Sequence, residues 1–261
     1  NSYPLNFQRH ATPPPVADNF GRQIGYLRIS VVDRCNLRCD YCRPTSDDAT
    51  ATPRQHLLTF EEIERIVRIA ASMGVEKIRL TGGEPLVRKG IVDLVSRIAA
   101  VPGIRDLAMS TNATLLDEYA QPLRDAGLHR VNISLDTLDA QKFASLTGGK
   151  LHDVMRGIHA AQAAGLTPIR LNTVLLRGIN DHEAAELIDF SIREHLELRF
   201  IELMPMREGM DWQQHYYSVS ELLQQQALLE RVDTSTWARQ GSSAARYLDL
   251  RHAQGRVGFI E

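Results

Sequence analysis

Strand-like and helix-like stretches alternate along most of this 261-residue chain, and that alternation restricts its fold more than any other feature. The stretch "YLRISVV" at 26–32 is rich in β-branched residues and alternates with period two, as a strand does. "TFEEIERIVRIAASMG" at 59–74 reads as a helix, with Thr59 as N-cap, Glu62 at the capping-box position and Gly74 as the stop. Strand "KIRLTG", a helix over 90–100, strand "DLAMST", a helix over 115–126, strand "RVNISLD", a helix over 153–164, strand "IRLNTVL", a helix over 183–195 and strand "LELRFIELM" follow, completing six β/α units by residue 204. Repeated units of this kind predict a parallel sheet curled by right-handed crossovers. Six strands close only in part, so the expected fold is α/β: a partial (β/α)6 TIM-like barrel with its chemistry at the C-terminal strand ends. Residues 1–20, with Pro-Pro-Pro at 13–15, read as an extended N-terminal tail, and 21–205 as the barrel. Residues 206–261 break the rhythm and read as a short C-terminal extension, with one helix over 219–229 and short strands such as "RVGFI".

All three cysteines fall within "CNLRCDYC", residues 35–42, directly after the first strand. Cys35, Cys39 and Cys42 therefore sit on the face where such a barrel works. A cluster this tight makes no secreted disulfide framework and fits a reducing compartment, with thiols kept for metal or redox chemistry. A structural zinc site would want four ligands, commonly from two separated knuckles, and Asp33 and Asp40 are poor candidates for a fourth. A 4Fe–4S cube held by three thiolates leaves one iron open to a small molecule. The bland alternative is an incidental group of packed cysteines.

A second signal lies in the strands. Arg28 in "LRIS", Arg79 in "IRLT" and Arg170 in "IRLN" are each flanked by apolar residues and followed two positions on by Ser30, Thr81 or Asn172. Because strand side chains alternate between faces, these polar residues point into the barrel while their apolar neighbours meet the helices. Ser110, Asn112, Asn132, Ser134 and Asp136 join them from strands three and four. Arg199 and Glu202 on strand six have opposite parity, so both face inward only with a bulge. Converging guanidiniums suit a phosphate or carboxylate ligand. The competing reading pairs them with Glu84, Asp136 or Glu202 as structural salt bridges.

The Cys-x3-Cys-x2-Cys loop after the first strand resembles the signature of the radical S-adenosylmethionine (SAM) enzymes. That resemblance implies a 4Fe–4S cluster whose open iron is chelated by SAM, and a 5′-deoxyadenosyl radical that takes hydrogen from the substrate. It assigns "TGGEP" (81–85) to the SAM methionine, with Gly83 in contact and Glu84 bracing the turn. Tyr41 is placed beside adenine, or else only packs the loop. Ser134 matches a polar SAM contact, and Met204 a backbone contact to adenine. The segments "FGRQIGYLRISVVDRCNLRCDYCRP", "EKIRLTGGEPLVR", "STNATLL", "LRDAGLHRVNISLDTLD", "AGLTPIRLNTVLLRGIND" and "LRFIELMPM" resemble the GTP 3′,8-cyclase family of molybdenum cofactor biosynthesis. The implied reaction converts GTP to 3′,8-cyclo-7,8-dihydro-GTP. Arg28, Arg79, Ser110 and Arg170 then hold GTP; the family's usual Lys is Arg here at 170, and its "TNG" is "TNA" at 111–113. The implied partners are a reductant protein, the downstream cyclic pyranopterin monophosphate synthase and a second copy in a homodimer. The family carries a second cluster on C-terminal cysteines that this sequence lacks after "RVGFIE", so 206–261 are expected to begin the substrate and second-cluster region of a longer chain.

A formal net charge of −2 gives no global field for nucleic acid or membrane, and no stretch is long and apolar enough for a transmembrane helix. The N-terminus has no apolar signal core, so a cytoplasmic protein is expected. "TGGK" (147–150) lacks the first glycine and the Ser/Thr of a phosphate-binding loop. Two other functions stay in view: a related radical SAM enzyme for another phosphorylated or peptide substrate, and a metal-binding scaffold without catalysis.

Overall fold

The structure is a computed structural model that describes residues 16–42, 52–53, 56–205, 211–239 and 244–261. The Pro-Pro-Pro of the expected tail and the residues directly after Cys42 lie outside these. The elements follow the expected alternation. Strand β1 (Tyr26–Ser30), helix α1 (Phe60–Ser72), β2 (Lys77–Thr81), α2 (Ile91–Ala99), β3 (Asp106–Thr111), α3 (Leu116–Asp125) and β4 (Arg130–Ser134) come first. Two helices, α4 (Ala140–Thr147) and α5 (Leu151–Ala163), then precede β5 (Arg170–Leu175), α6 (Ala184–Arg193) and β6 (Glu197–Glu202). Helix α4 was not expected. Asp139 caps it through the Gln141 and Lys142 amides, and Gly148 ends it with φ 70°, so "TGGK" is a helix terminator. At α1 both halves of the Thr59/Glu62 capping box form.

Strands β1 to β6 pair side by side, all parallel and in chain order. Alternate residues such as Ile78, Leu80, Leu107, Met109, Val131, Ile133, Leu198 and Phe200 are almost wholly buried against the helices. Those helices contribute a single apolar stripe each, for instance Leu94, Val95 and Ile98 from α2. At about 25 cal/mol per Å² of apolar surface removed from water, this interlayer core is the main stabilising term. The sheet is open, with β1 at one edge, and has the partial TIM-like barrel form.

The C-terminal region differs from the expectation in two ways. The single helix over 219–229 is two one-turn helices, α8 (Val219–Leu222) and α9 (Gln226–Leu229), after a third, α7 (Trp212–His215). Gln225 sets the break: its backbone is extended, and its side-chain amide donates to the Asp181 carbonyl and the Tyr217 hydroxyl. The following strands β7 (Val232–Arg239), β8 (Arg246–Leu250) and β9 (Arg256–Ile260) continue the sheet, β9 adding parallel to β6 and β8 antiparallel to β9.

Candidate active site

The cysteine loop is fixed from two sides by backbone. On one side, Val31 N donates to Thr81 O, Gly83 N to Val32 O and Glu84 N to Arg34 O, at 2.7–2.8 Å. A Cβ on Gly82 would lie 2.2 Å from the Val32 carbonyl oxygen, and one on Gly83 would lie 2.1 Å from that of Arg34. The side-chain-free stretch of "TGGEP" is thus needed by the cysteine loop itself, which lies directly on it. On the other side, Arg38 N and Asp40 N donate to the Thr147 and Leu146 carbonyls at the end of α4.

Glu84 holds the second loop together. It is 1% exposed and accepts from Leu86 N (3.1 Å), Thr111 Oγ1 (2.7 Å) and Asn112 N (2.7 Å). Burial pushes its carboxyl up to about 7, against three donors that favour the anion. This is the bracing expected from the sequence. Asn112 also donates through Nδ2 to Asn36 Oδ1 (2.9 Å) and towards Cys35 Sγ (3.6 Å), and Leu37 N points at the same sulfur (3.4 Å).

None of the three thiols is in a disulfide among the described residues; Cys35 and Cys39 are half-buried and Cys42 is exposed. Burial first, then Asp136 and the other two cysteines, push Cys39 up to about 12. A bound cation reverses that balance and takes the thiolate form. Three unoxidised thiols on one loop, with N–H groups aimed at Cys35, are a donor set that fits an iron–sulfur cluster. Tyr41 donates its hydroxyl to Asp136 Oδ2 at 2.6 Å, and Val174 N donates to Asp136 Oδ1. That link was invisible in the sequence, which put Asp136 among the inward residues and offered it as an arginine partner. Burial pushes Asp136 up to about 6, with both donors opposing. Ser134 stands exposed at the end of β4, and Met204, 45% exposed, follows β6.

Below this loop the lumen is basic. Register places Arg28 beside Arg79, and Ala108 of β3 separates Arg79 from Arg130. The next row is Ser110, Asn132, Arg170 and Glu197, and a third runs Ser134, Asn172, Arg199 and Gly258. All four proposed GTP residues, Arg28, Arg79, Ser110 and Arg170, thus share this face. The register also settles β6: Arg199 faces inward and Glu202 outward, where it accepts from Tyr216 Oη and Val219 N. Arg130 was missed, although its two-residue spacing from Asn132 repeats the pattern of Arg28 and Ser30.

The salt-bridge reading of the arginines fails for the carboxylates it named, since Glu84, Asp136 and Glu202 are all engaged elsewhere. Arg130 pairs instead with Asp106 (2.6 Å) and Arg170 with Glu197 (2.5 Å). Arg79 and Arg199 have no carboxylate partner among the described residues. Burial lowers the pKa of Arg79, and Arg130, Arg199 and Arg28 add to this while Tyr26 opposes it. Buried polar atoms without a partner concentrate here: Arg79 Nε, Arg130 Nη1, Arg199 Nε, both amide atoms of Asn132, and Asn172 Oδ1. Each such group costs about 1–3 kcal/mol unless a ligand satisfies it.

A half-open parallel barrel with a three-thiol loop on its working face defines a radical SAM protein, and residues 29–191, more than half the chain, match the Radical SAM superfamily. The structure is similar to Streptococcus suis SuiB bound to S-adenosylmethionine, with TM-score 0.60 and 22% identity over 77% of this chain and 45% of that one, a likeness of fold. Within the superfamily the chain belongs to the GTP 3′,8-cyclase family. It is 47% identical over 247 residues to the GTP 3′,8-cyclase of Pelotomaculum thermopropionicum, covering 93% of this chain and 75% of that protein. It is 49% identical over 250 residues to GTP 3′,8-cyclase 1 of Pseudomonas aeruginosa, covering 93% and 74%.

Proposed function

We propose that this protein converts GTP to 3′,8-cyclo-7,8-dihydro-GTP, the first step of molybdenum cofactor biosynthesis. The observation that carries the reading is the pairing, in one barrel, of a three-thiol loop with a lumen in which the buried Arg79 and Arg199 lack carboxylate partners among the described residues. Cys35, Cys39 and Cys42 would hold a 4Fe–4S cluster. Gly83, Ser134, Met204 and Tyr41 would hold SAM. Bound together, those two groups supply one-electron chemistry that ends in hydrogen abstraction from a substrate carbon. Arg28, Arg79, Ser110 and Arg170 would bind and orient the triphosphate, and the barrel wall would shield the reacting ribose from water. A phosphorylated substrate is favoured over a peptide because partnerless buried guanidiniums call for a polyanion.

The partners in this reading are a reductant protein, the cyclic pyranopterin monophosphate synthase that takes the product, and a second copy of the chain. Helix α1 offers such a copy an apolar surface, with Ile66 40%, Ile69 52% and Met73 40% exposed. No helix among the described residues is long and apolar enough to cross a membrane, and the clustered thiols suit a reducing cytoplasm.

Anaerobic reconstitution followed by assays for iron, 5′-deoxyadenosine and the oxidised pterin derivative of the product tests the proposal. Cys39→Ala is expected to reduce SAM cleavage to background. Full cleavage in that variant, zinc in place of iron, or a parent protein that does not bind GTP would each sink it.

A further inference from the structure

The C-terminal strands extend the lumen wall past the six expected units. Pairing continues the Ser134, Asn172, Arg199 row through Gly258 of β9 to Tyr247 of β8. Register alone puts Tyr247 on the same face as Arg199, and local geometry agrees. A Cβ on Gly258 would come 2.9 Å from Arg199 Cγ and 3.0 Å from Tyr247 Cε1. Both side chains therefore fold across the glycine, and the guanidinium carbon of Arg199 lies 5.6 Å from the centre of the Tyr247 ring.

Both residues are deeply buried, Arg199 at 7% exposure and Tyr247 at 4%. Arg199 Nε has no hydrogen-bond partner, and the Tyr247 hydroxyl finds no acceptor, because the Arg199 guanidinium beside it can only donate. A buried phenol normally finds one, because an O–H shut away from water forfeits its hydration for nothing. A structural tyrosine would be served as well by Phe, and a structural arginine would sit beside a carboxylate. Here the guanidinium over the phenol ring has no carboxylate ion-pair partner among the described residues. An oxyanion placed between them would accept from both.

We infer that Tyr247 is a further substrate-binding residue of this lumen, its hydroxyl donating to a phosphate oxygen that Arg199 also holds, with Gly258 leaving the room both need. The inference rests on the GTP reading above and extends its site to the C-terminal strands, on which the sequence pattern had placed no substrate residue.

The test compares the reconstituted parent protein with Tyr247→Phe, measuring dissociation constants for GTP, inorganic triphosphate and SAM by anaerobic calorimetry. Loss of one hydrogen bond to a charged group is expected to weaken GTP and inorganic triphosphate alike, by about 10- to 150-fold. SAM affinity should stay within about twofold, and the melting temperature should hold. Gly258→Ala, which displaces both side chains, should weaken the two phosphate ligands at least as much. Unchanged affinity for both in Tyr247→Phe overturns the inference and leaves the GTP reading standing. Weakening of GTP alone moves the hydroxyl to the nucleoside and overturns the phosphate contact. A parent protein that binds neither phosphate ligand brings down the GTP reading and this inference with it.

Discussion

The loops at the rim of the barrel and the lumen beneath them treat buried polar groups in opposite ways. Around the cysteine loop, Glu84 accepts three hydrogen bonds, Asp136 accepts two, and the backbone of 31–34 is bonded into the Gly82–Glu84 turn. A few residues deeper, Arg79, Arg199, Asn132 and Asn172 all carry buried polar atoms with no partner. The rim completes its own network, so it can hold its shape before any ligand arrives. The lumen leaves its donors unspent, which lowers fold stability and keeps binding energy for a ligand. Substitutions at the rim should therefore cost stability, and substitutions in the lumen should cost binding while relieving the fold.

Gly83→Ala should break the rim most severely. With the Arg34 carbonyl oxygen 2.1 Å from the added methyl, the cysteine loop must lift from the turn. A stability loss of about 3 kcal/mol or more is expected, with loss of iron uptake; thermal unfolding and iron analysis measure the two. Unchanged melting would mean that the loop does not rest on the turn.

Glu84→Gln tests the same network through pH. Burial raises the folded pKa of Glu84 to about 7, above the ordinary 4.5 of its carboxyl, and that of Asp136 to about 6, above the ordinary 3.8. Both groups hold a proton more tightly when folded. The stability they contribute is complete below their unfolded values and is lost as pH rises through 6 and 7. Apo protein should thus melt at a lower temperature at pH 8 than at pH 5, within its range of reversible unfolding. Glu84→Gln should flatten that slope while losing about 2 kcal/mol at pH 5, because an amide N–H now faces a donor. An equal slope in both proteins would remove Glu84 from the account.

Arg79→Leu should act in the opposite sense. Removing a buried guanidinium crowded by Arg28, Arg130 and Arg199 is expected to stabilise the apo fold by about 1 kcal/mol. The same change should weaken GTP by about 1.5–3 kcal/mol. A variant that loses stability and binding together would show that Arg79 is structural, and the contrast between rim and lumen would fail there.

The smallest effect is expected at Ala113, in the "TNA" turn after β3. Ala113 sits at φ 63° and is fully buried, with its carbonyl oxygen 2.2 Å from where a Gly157 Cβ would be. Left-handed backbone costs an alanine about 1 kcal/mol, and burying its methyl returns about 0.8 kcal/mol. Ala113→Gly should then shift stability by less than about 0.5 kcal/mol and leave ligand binding alone.

Much of this contrast was legible in the sequence, for reasons that are local. Period-two alternation assigned Arg28, Arg79 and Arg170 to the inner face because a strand has only two faces. The spacing of Cys35, Cys39 and Cys42 placed three thiols on one loop whatever the rest of the chain does. Thr59 and Glu62 capped α1 as read, since a capping box spans only four residues. What alternation could not supply was the neighbour. The face of Arg199 followed only from its register with Asn172, and the partners of Glu84, Asp136 and Glu202 come from Thr111 and Asn112, Tyr41 and Val174, and Tyr216 and Val219. The insertion of β9 beside β6, which brings Tyr247 and Gly258 to Arg199, joins segments about sixty residues apart that carry no shared local signal. Chain periodicity fixes which way a side chain points. Which groups it meets there depends on strand order and loop packing, and those are decided by the burial of the whole core rather than by any one segment.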